Sequence, residues 1–209
     1  MKYTAQDIAQ LERRKRGHLV NALSGVKSAN LVGSVNDKGQ TNLAIVSSVV
    51  HLGSDPALLG FIQRPTTVEK HTYENIVATE RYTFNAIENS FIEKAHQTSA
   101  RYSRANSEFD AVGLTPEFSP DFLAPFVKES NIKIGLSLEE VIPIKSNNTK
   151  LMVGRVEVIY FPENSFKEDG HLAIYENNVV GISGLDTYLN ISKNTRLSYA
   201  KPDLPLKKL

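Results

Sequence analysis

Residues 31–63 read LVGSVNDKGQTNLAIVSSVVHLGSDPALLGFIQ, and this stretch decides the fold. It holds three apolar segments rich in β-branched residues, Leu31–Val35, Thr41–Val50 and Ala57–Gln63. Each is short enough for a strand. The first two are separated by Asn36-Asp37-Lys38-Gly39, where glycine accepts the positive φ that a tight hairpin demands. Ser54-Asp55-Pro56 is the turn before the third. Three strands in succession without a helical crossover argue against a doubly wound parallel sheet and for a mostly antiparallel barrel.

Working outward, Met1–Leu23 reads as a helical segment ended by Ser24-Gly25, with Thr4 and Asp7 as its capping pair. A short helix is expected from Thr72, whose hydroxyl would cap it by accepting a backbone N–H. Tyr82–Ile87 reads as a fourth strand. Ser90-Phe91-Ile92-Glu93 has the spacing of a capping box for a helix running toward His96, and Ser107–Val112 is another short helix. Ser119–Pro125 reads as loop. Ile132–Ile144 and Leu151–Phe161 are two long late strands around an Asn147-Asn148-Thr149 turn. Gly181-Ile182-Ser183-Gly184 reads as a turn, lacking the spacing of a nucleophile elbow. The expectation is a mainly β, six-stranded antiparallel barrel with short flanking helices. It forms one domain over residues 1–209, with a helical segment at 1–24 and a C-terminal extension at 163–209.

Composition narrows the chemistry. The 209 residues carry 24 basic and 23 acidic side chains, for a net charge of +1, which gives no footprint for nucleic acid or an anionic membrane. The run Arg13-Arg14-Lys15-Arg16 reads as a solvated helix face. There is no cysteine, so thiolate, disulfide and iron–sulfur chemistry are excluded. The five histidines are not paired at metal-ligand spacing, and no metal site is expected. No G-x-G-x-x-G follows a strand and there is no P-loop. The polar N-terminus is no secretory signal and no apolar run is long enough to span a bilayer, so a cytoplasmic protein is expected. The sequons at Asn147 and Asn190 then carry little meaning.

Three neighbouring pieces suit a flat, reducible ring bearing a phosphate. Asn42-Leu43-Ala44-Ile45-Val46-Ser47-Ser48 ends an apolar strand with two hydroxyls. Gly60-Phe61-Ile62-Gln63-Arg64-Pro65 supplies a guanidinium that can fork onto phosphate oxygens. His71-Thr72-Tyr73-Glu74-Asn75-Ile76 opens a helix, whose first turn receives anions well. Taken singly, each has an ordinary structural explanation: a polar step in a strand, a surface loop charge, a plain cap. Their order and spacing are what point to a site.

In that order the chain resembles the flavin reductase-like, FMN-binding split-barrel family. The likeness runs through Asp55-Pro56-x-Leu58-Leu59-Gly60-Phe61, Tyr82-Thr83-x-Asn85, Ala95-His96-Gln97-Thr98-Ser99-Ala100, Ser107-Glu108-Phe109, Val127-x-Glu129-Ser130 and Leu197-x-Tyr199-Ala200-x-Pro202. The resemblance implies a split barrel, a homodimer, and FMN near its interface. It places Asn42, Ser47 and Ser48 near the flavin ring and Arg64, Thr72 and Asn75 near the phosphate and ribityl chain. Thr98 and Ser99 are candidates for the far side, and Gly53 would allow close backbone approach. The activity implied is hydride transfer from NADH or NADPH to flavin N5. No residue matches a nicotinamide-fixing position. The alternatives are a non-enzymatic FMN electron carrier and a barrel that has lost its flavin.

Overall fold

A computed structural model describes residues 1–191 and 194–209. Its elements, in chain order, are α1 (Ala5–Gln10), α2 (Arg13–Ala22), β1 (Val26–Ser28), β2 (Asn30–Val35), β3 (Thr41–Val46), β4 (Val50–Ser54), β5 (Ala57–Gln63), α3 (His71–Thr79), β6 (Arg81–Ala86), α4 (Ile92–Gln97), α5 (Glu108–Val112), β7 (Pro116–Ser119), β8 (Phe122–Val127), β9 (Lys133–Ile144), β10 (Thr149–Tyr160), β11 (Val180–Ser183) and β12 (Thr187–Asn190). Seven strands form one antiparallel sheet in the order β3-β2-β6-β9-β10-β5-β4. A second sheet, β1-β11-β12, ties the start of the chain to its late part, and β7-β8 is a separate hairpin. The protein is mainly β with few helices, and the barrel class expected from residues 31–63 is the one observed.

The main sheet curls because both of its faces are buried. Leu31 and Val32 are adjacent on β2, so their side chains point to opposite faces. Leu31 packs with Leu43, Ile87, Phe91 and Phe109, while Val32 packs with Phe61, Tyr82, Phe84 and Met152. Phe61, Tyr82 and Phe84 meet with ring centroids 5.4–5.9 Å apart. Such tilted and edge-to-face pairs add to the area they bury. Glycine sets two close approaches. A Cβ on Gly33 would lie 2.2 Å from the Pro125 carbonyl oxygen, where β2 crosses β8. One on Gly154 would lie 2.0 Å from the Tyr82 hydroxyl, which is buried without a partner among the described residues.

Several expectations are corrected. The N-terminal helix is two, broken at Leu11–Glu12, because the Glu12 carboxylate accepts the N–H groups of Arg14 and Lys15 and starts α2 afresh. The Thr4–Asp7 capping box is present. The expected strand Thr41–Val50 is interrupted at Ser47–Val49 and resumes as β4. Phe91, not Ser90, precedes α4. Burying its ring pulls Asn89–Phe91 into a 3₁₀ turn, and no side-chain cap forms. Of residues 119–125, expected as loop, only Pro120 and Asp121 form a turn, and the rest belong to β7 and β8. Phe122, Ala124 and Phe126 alternate inward and make β8, an alternation that Pro120 and Pro125 obscured in the sequence. Gly181–Ser183 lies in β11, with only Gly184, at φ 63°, in the turn. Twelve strands are present among the described residues rather than six. The excess comes from the two small sheets and from the division of the second segment.

Candidate functional site

β3 lies at one margin of the main sheet and β5 next to the other. They are brought together where β3 ends. The Ser48 hydroxyl accepts the Ile62 N–H at 3.0 Å and sits 3.5 Å from the Ile62 carbonyl. Ser48 therefore closes the barrel with its side chain rather than offering a free hydroxyl. Beside it, the N–H groups of Ser47, Ser48 and Val49 have no hydrogen-bond partner among the described residues. All three residues are half-buried. Three successive donors that the fold itself does not use form an edge open to an acceptor.

Arg64 follows β5 directly, is exposed, and has no ion-pair partner among the described residues. The chain from Arg64 leads straight into α3. That helix starts at His71 with Lys70 in the cap position, two residues before the expected cap at Thr72. Thr72 consequently caps nothing. It is buried, and its hydroxyl accepts the Asn42 amide at 2.9 Å. Asn42 also reaches Ser34 Oγ at 3.4 Å, and Asn75 donates to the same oxygen at 3.2 Å. Asn42, Thr72 and Asn75, three predicted residues from β3 and α3, thus converge on one buried polar knot with Ser34 of β2. Asn42 and Asn75 also line a small cleft with Asn36, Gln40, His71 and Arg104.

Thr98 and Ser99 are not joined to this knot by any hydrogen bond. The Thr98 hydroxyl, buried, donates back to Ala95 at 2.8 Å, and Ser99 is exposed at the end of α4. Gly53 serves the β4–β5 turn, where an added Cβ would lie 3.2 Å from the Pro56 carbonyl oxygen.

Two participants went unassigned in the sequence. Ser34 gives no signal beyond its place in an apolar strand. Glu108, quoted in the resemblance without a role, is buried at the start of α5. Its Oε2 accepts the Leu43 N–H at 3.0 Å on the outer side of marginal strand β3. Ser107 and Thr41 meet hydroxyl to hydroxyl at 2.7 Å beside it. Burial holds the Glu108 carboxyl above the usual carboxylate range, opposed by its bonds to backbone N–H groups and by His71. Its signature was a carboxylate at a helix start, which ordinarily reads as capping.

A family profile described as flavin reductase like domain matches residues 24–183. The chain belongs to that family. A crystal structure of a candidate flavin reductase with a split barrel domain from Shewanella frigidimarina NCIMB 400 is 47% identical. It superposes with a TM-score of 0.91 over 96% of this chain and 100% of that one. Nitrilotriacetate monooxygenase component B from Bacillus cereus shares the fold at 21% identity, with a TM-score of 0.82 over 94% of this chain and 98% of that one. An uncharacterized protein of Aquifex aeolicus (strain VF5) is 26% identical over 115 residues, 54% of this chain, which spans 59% of that relative's length.

Proposed function

We propose that this protein binds FMN and works as an NAD(P)H-dependent flavin oxidoreductase, as a homodimer with the flavin near the subunit interface. The observation that carries this reading is the row of N–H groups at Ser47–Val49, without partners among the described residues, tied through Ser48 to Ile62 of β5, the strand that Arg64 directly follows with its exposed guanidinium. One supplies donors to the pyrimidine edge of a flavin, which gains negative charge on reduction. The other supplies a fork for a terminal phosphate. Membership of the flavin reductase like family supports the choice of cofactor.

When bound, held by the N–H groups of Ser47–Val49 and the guanidinium of Arg64, FMN would supply the redox chemistry for a nicotinamide hydride donor. The protein's own residues position and polarise. Ser48 locks the donor row to β5, so those N–H groups are already oriented. The Asn42–Thr72–Asn75–Ser34 knot holds the start of α3 against β2 and β3, and so fixes where the segment beginning at Arg64 enters that helix. No general acid or base is required. Adding NADH or NADPH anaerobically to the purified yellow protein tests the activity: loss of the flavin colour within catalytic times is expected. Colour that persists would leave an electron carrier and refute the reductase.

A further inference from the structure

Lys150 lies near the start of β10, in register with Gln63, the last residue of β5. Met152, two residues on, faces the same side of the strand and is buried with Phe61 in the core. Lys150 therefore leaves the sheet at the rim of the barrel, next to the segment that Arg64 begins. Its ammonium donates to the Thr66 hydroxyl at 2.9 Å and stands over the Tyr73 ring, 4.3 Å from the centroid. β10 is thus tied both to the segment after β5 and to the first turn of α3. Neither contact neutralises the charge. The acids of this corner are engaged elsewhere. Glu69 pairs with His71 at 3.7 Å, and Glu74 pairs with Arg104 and accepts the Lys70 N–H at 3.1 Å. Arg64, Lys70 and Lys150 are left without a carboxylate among the described residues. α3 begins there with no side-chain cap, so the positive end of the helix is open as well.

We infer that Lys150 reads the terminal phosphate of the flavin and sets a preference for a phosphate monoester, FMN, over the diester-linked FAD and over riboflavin. This rests on the FMN reading and goes beyond it by assigning the residue that discriminates among flavins. A monoester carries close to two negative charges on one phosphorus near neutral pH. Each phosphate of a diester linkage carries one. The Arg64 guanidinium answers a single charge, and the Lys150 ammonium answers the second. Thr66 and Tyr73 hold that ammonium in place before any ligand arrives, which lowers the cost of ordering a long side chain. The Thr66 hydroxyl accepts from Lys150, so its own proton is left to donate to a phosphate oxygen. Nothing in the sequence marks Lys150, because it follows Arg64 by more than eighty positions and meets it only through the pairing of β5 with β10.

The test is a titration of flavin-free, full-length protein with FMN, FAD and riboflavin, followed by flavin fluorescence. Lys150→Met keeps an apolar stem over Tyr73 and removes the charge. It should weaken FMN binding by about tenfold or more, weaken FAD by less, and leave riboflavin unchanged. Lys150→Arg should keep most of the FMN affinity. A Lys150→Met protein that binds FMN as tightly as the wild type, or that loses FMN and riboflavin equally, would overturn the assignment and leave the flavin site in place. Equal losses for FMN and FAD would overturn the monoester preference. Wild-type protein that takes up none of the three would overturn both this assignment and the FMN reading beneath it.

Discussion

At the scale of single residues, Arg64 and Glu108 separate cofactor binding from stability. The Arg64 guanidinium is exposed and unpaired among the described residues, so removing it costs the fold little. A charge-assisted hydrogen bond is worth about 1.5–3 kcal/mol, so Arg64→Ala should weaken FMN binding by about 10- to 100-fold in a fluorescence titration. Equal retention by variant and wild type would remove Arg64 from the phosphate. Glu108 acts oppositely. Its carboxyl is held above the ordinary value of 4.5 by burial. Between that value and the raised one the folded state binds more protons than the unfolded state, so this group lowers stability as pH rises through that window. Glu108→Gln keeps an acceptor for the Leu43 N–H and removes the buried charge. Thermal melting should show the variant gaining on wild type as pH is raised from 4.5 toward neutrality. Parallel pH profiles would contradict the assignment.

At the scale of elements, the close approaches matter most. β2 crosses β8 so tightly that a Cβ on Gly33 would also come within 2.5 Å of Thr83 Oγ1. Its first contact, the Pro125 carbonyl, is backbone and yields little. Overpacking of this kind typically costs about 1–3 kcal/mol and here belongs at the upper end, so Gly33→Ala should lower the urea midpoint by a corresponding amount. An unchanged midpoint would show that β2 and β8 can part. The strands of residues 31–63 were legible because their apolar runs are bounded by unambiguous turns. The pause at Ser47–Val49 was not, because nothing in an apolar, serine-containing run marks the point where pairing stops. The cap of α3 lies two residues ahead of Thr72 for a related reason. Thr72 is an excellent cap by type, and only the tertiary partner Asn42 on β3 draws its hydroxyl into the interior.

At the scale of the whole molecule, the barrel class and the neighbourhood of the candidate site were legible, whereas the division of labour within it was not. The family resemblance makes Asn42, Thr72 and Asn75 ligand contacts. The structure joins them to one another and to Ser34, a pattern that depends on β2 lying between β3 and β6 and so has no local signature. Ser48 was named for its hydroxyl, and the fold engages that hydroxyl to bring β3 to β5, leaving backbone donors in its place. The small sheet β1-β11-β12 joins residues more than 150 positions apart, which no window of sequence reveals. The central claim is that the closed barrel presents those donors and Arg64 to one FMN per chain. The measurement that tests it most directly is the visible spectrum of the purified protein, followed by titration of flavin-free protein with FMN. A flavin spectrum with saturation at one FMN per chain is the predicted result. Colourless protein that leaves added FMN unbound would contradict the account.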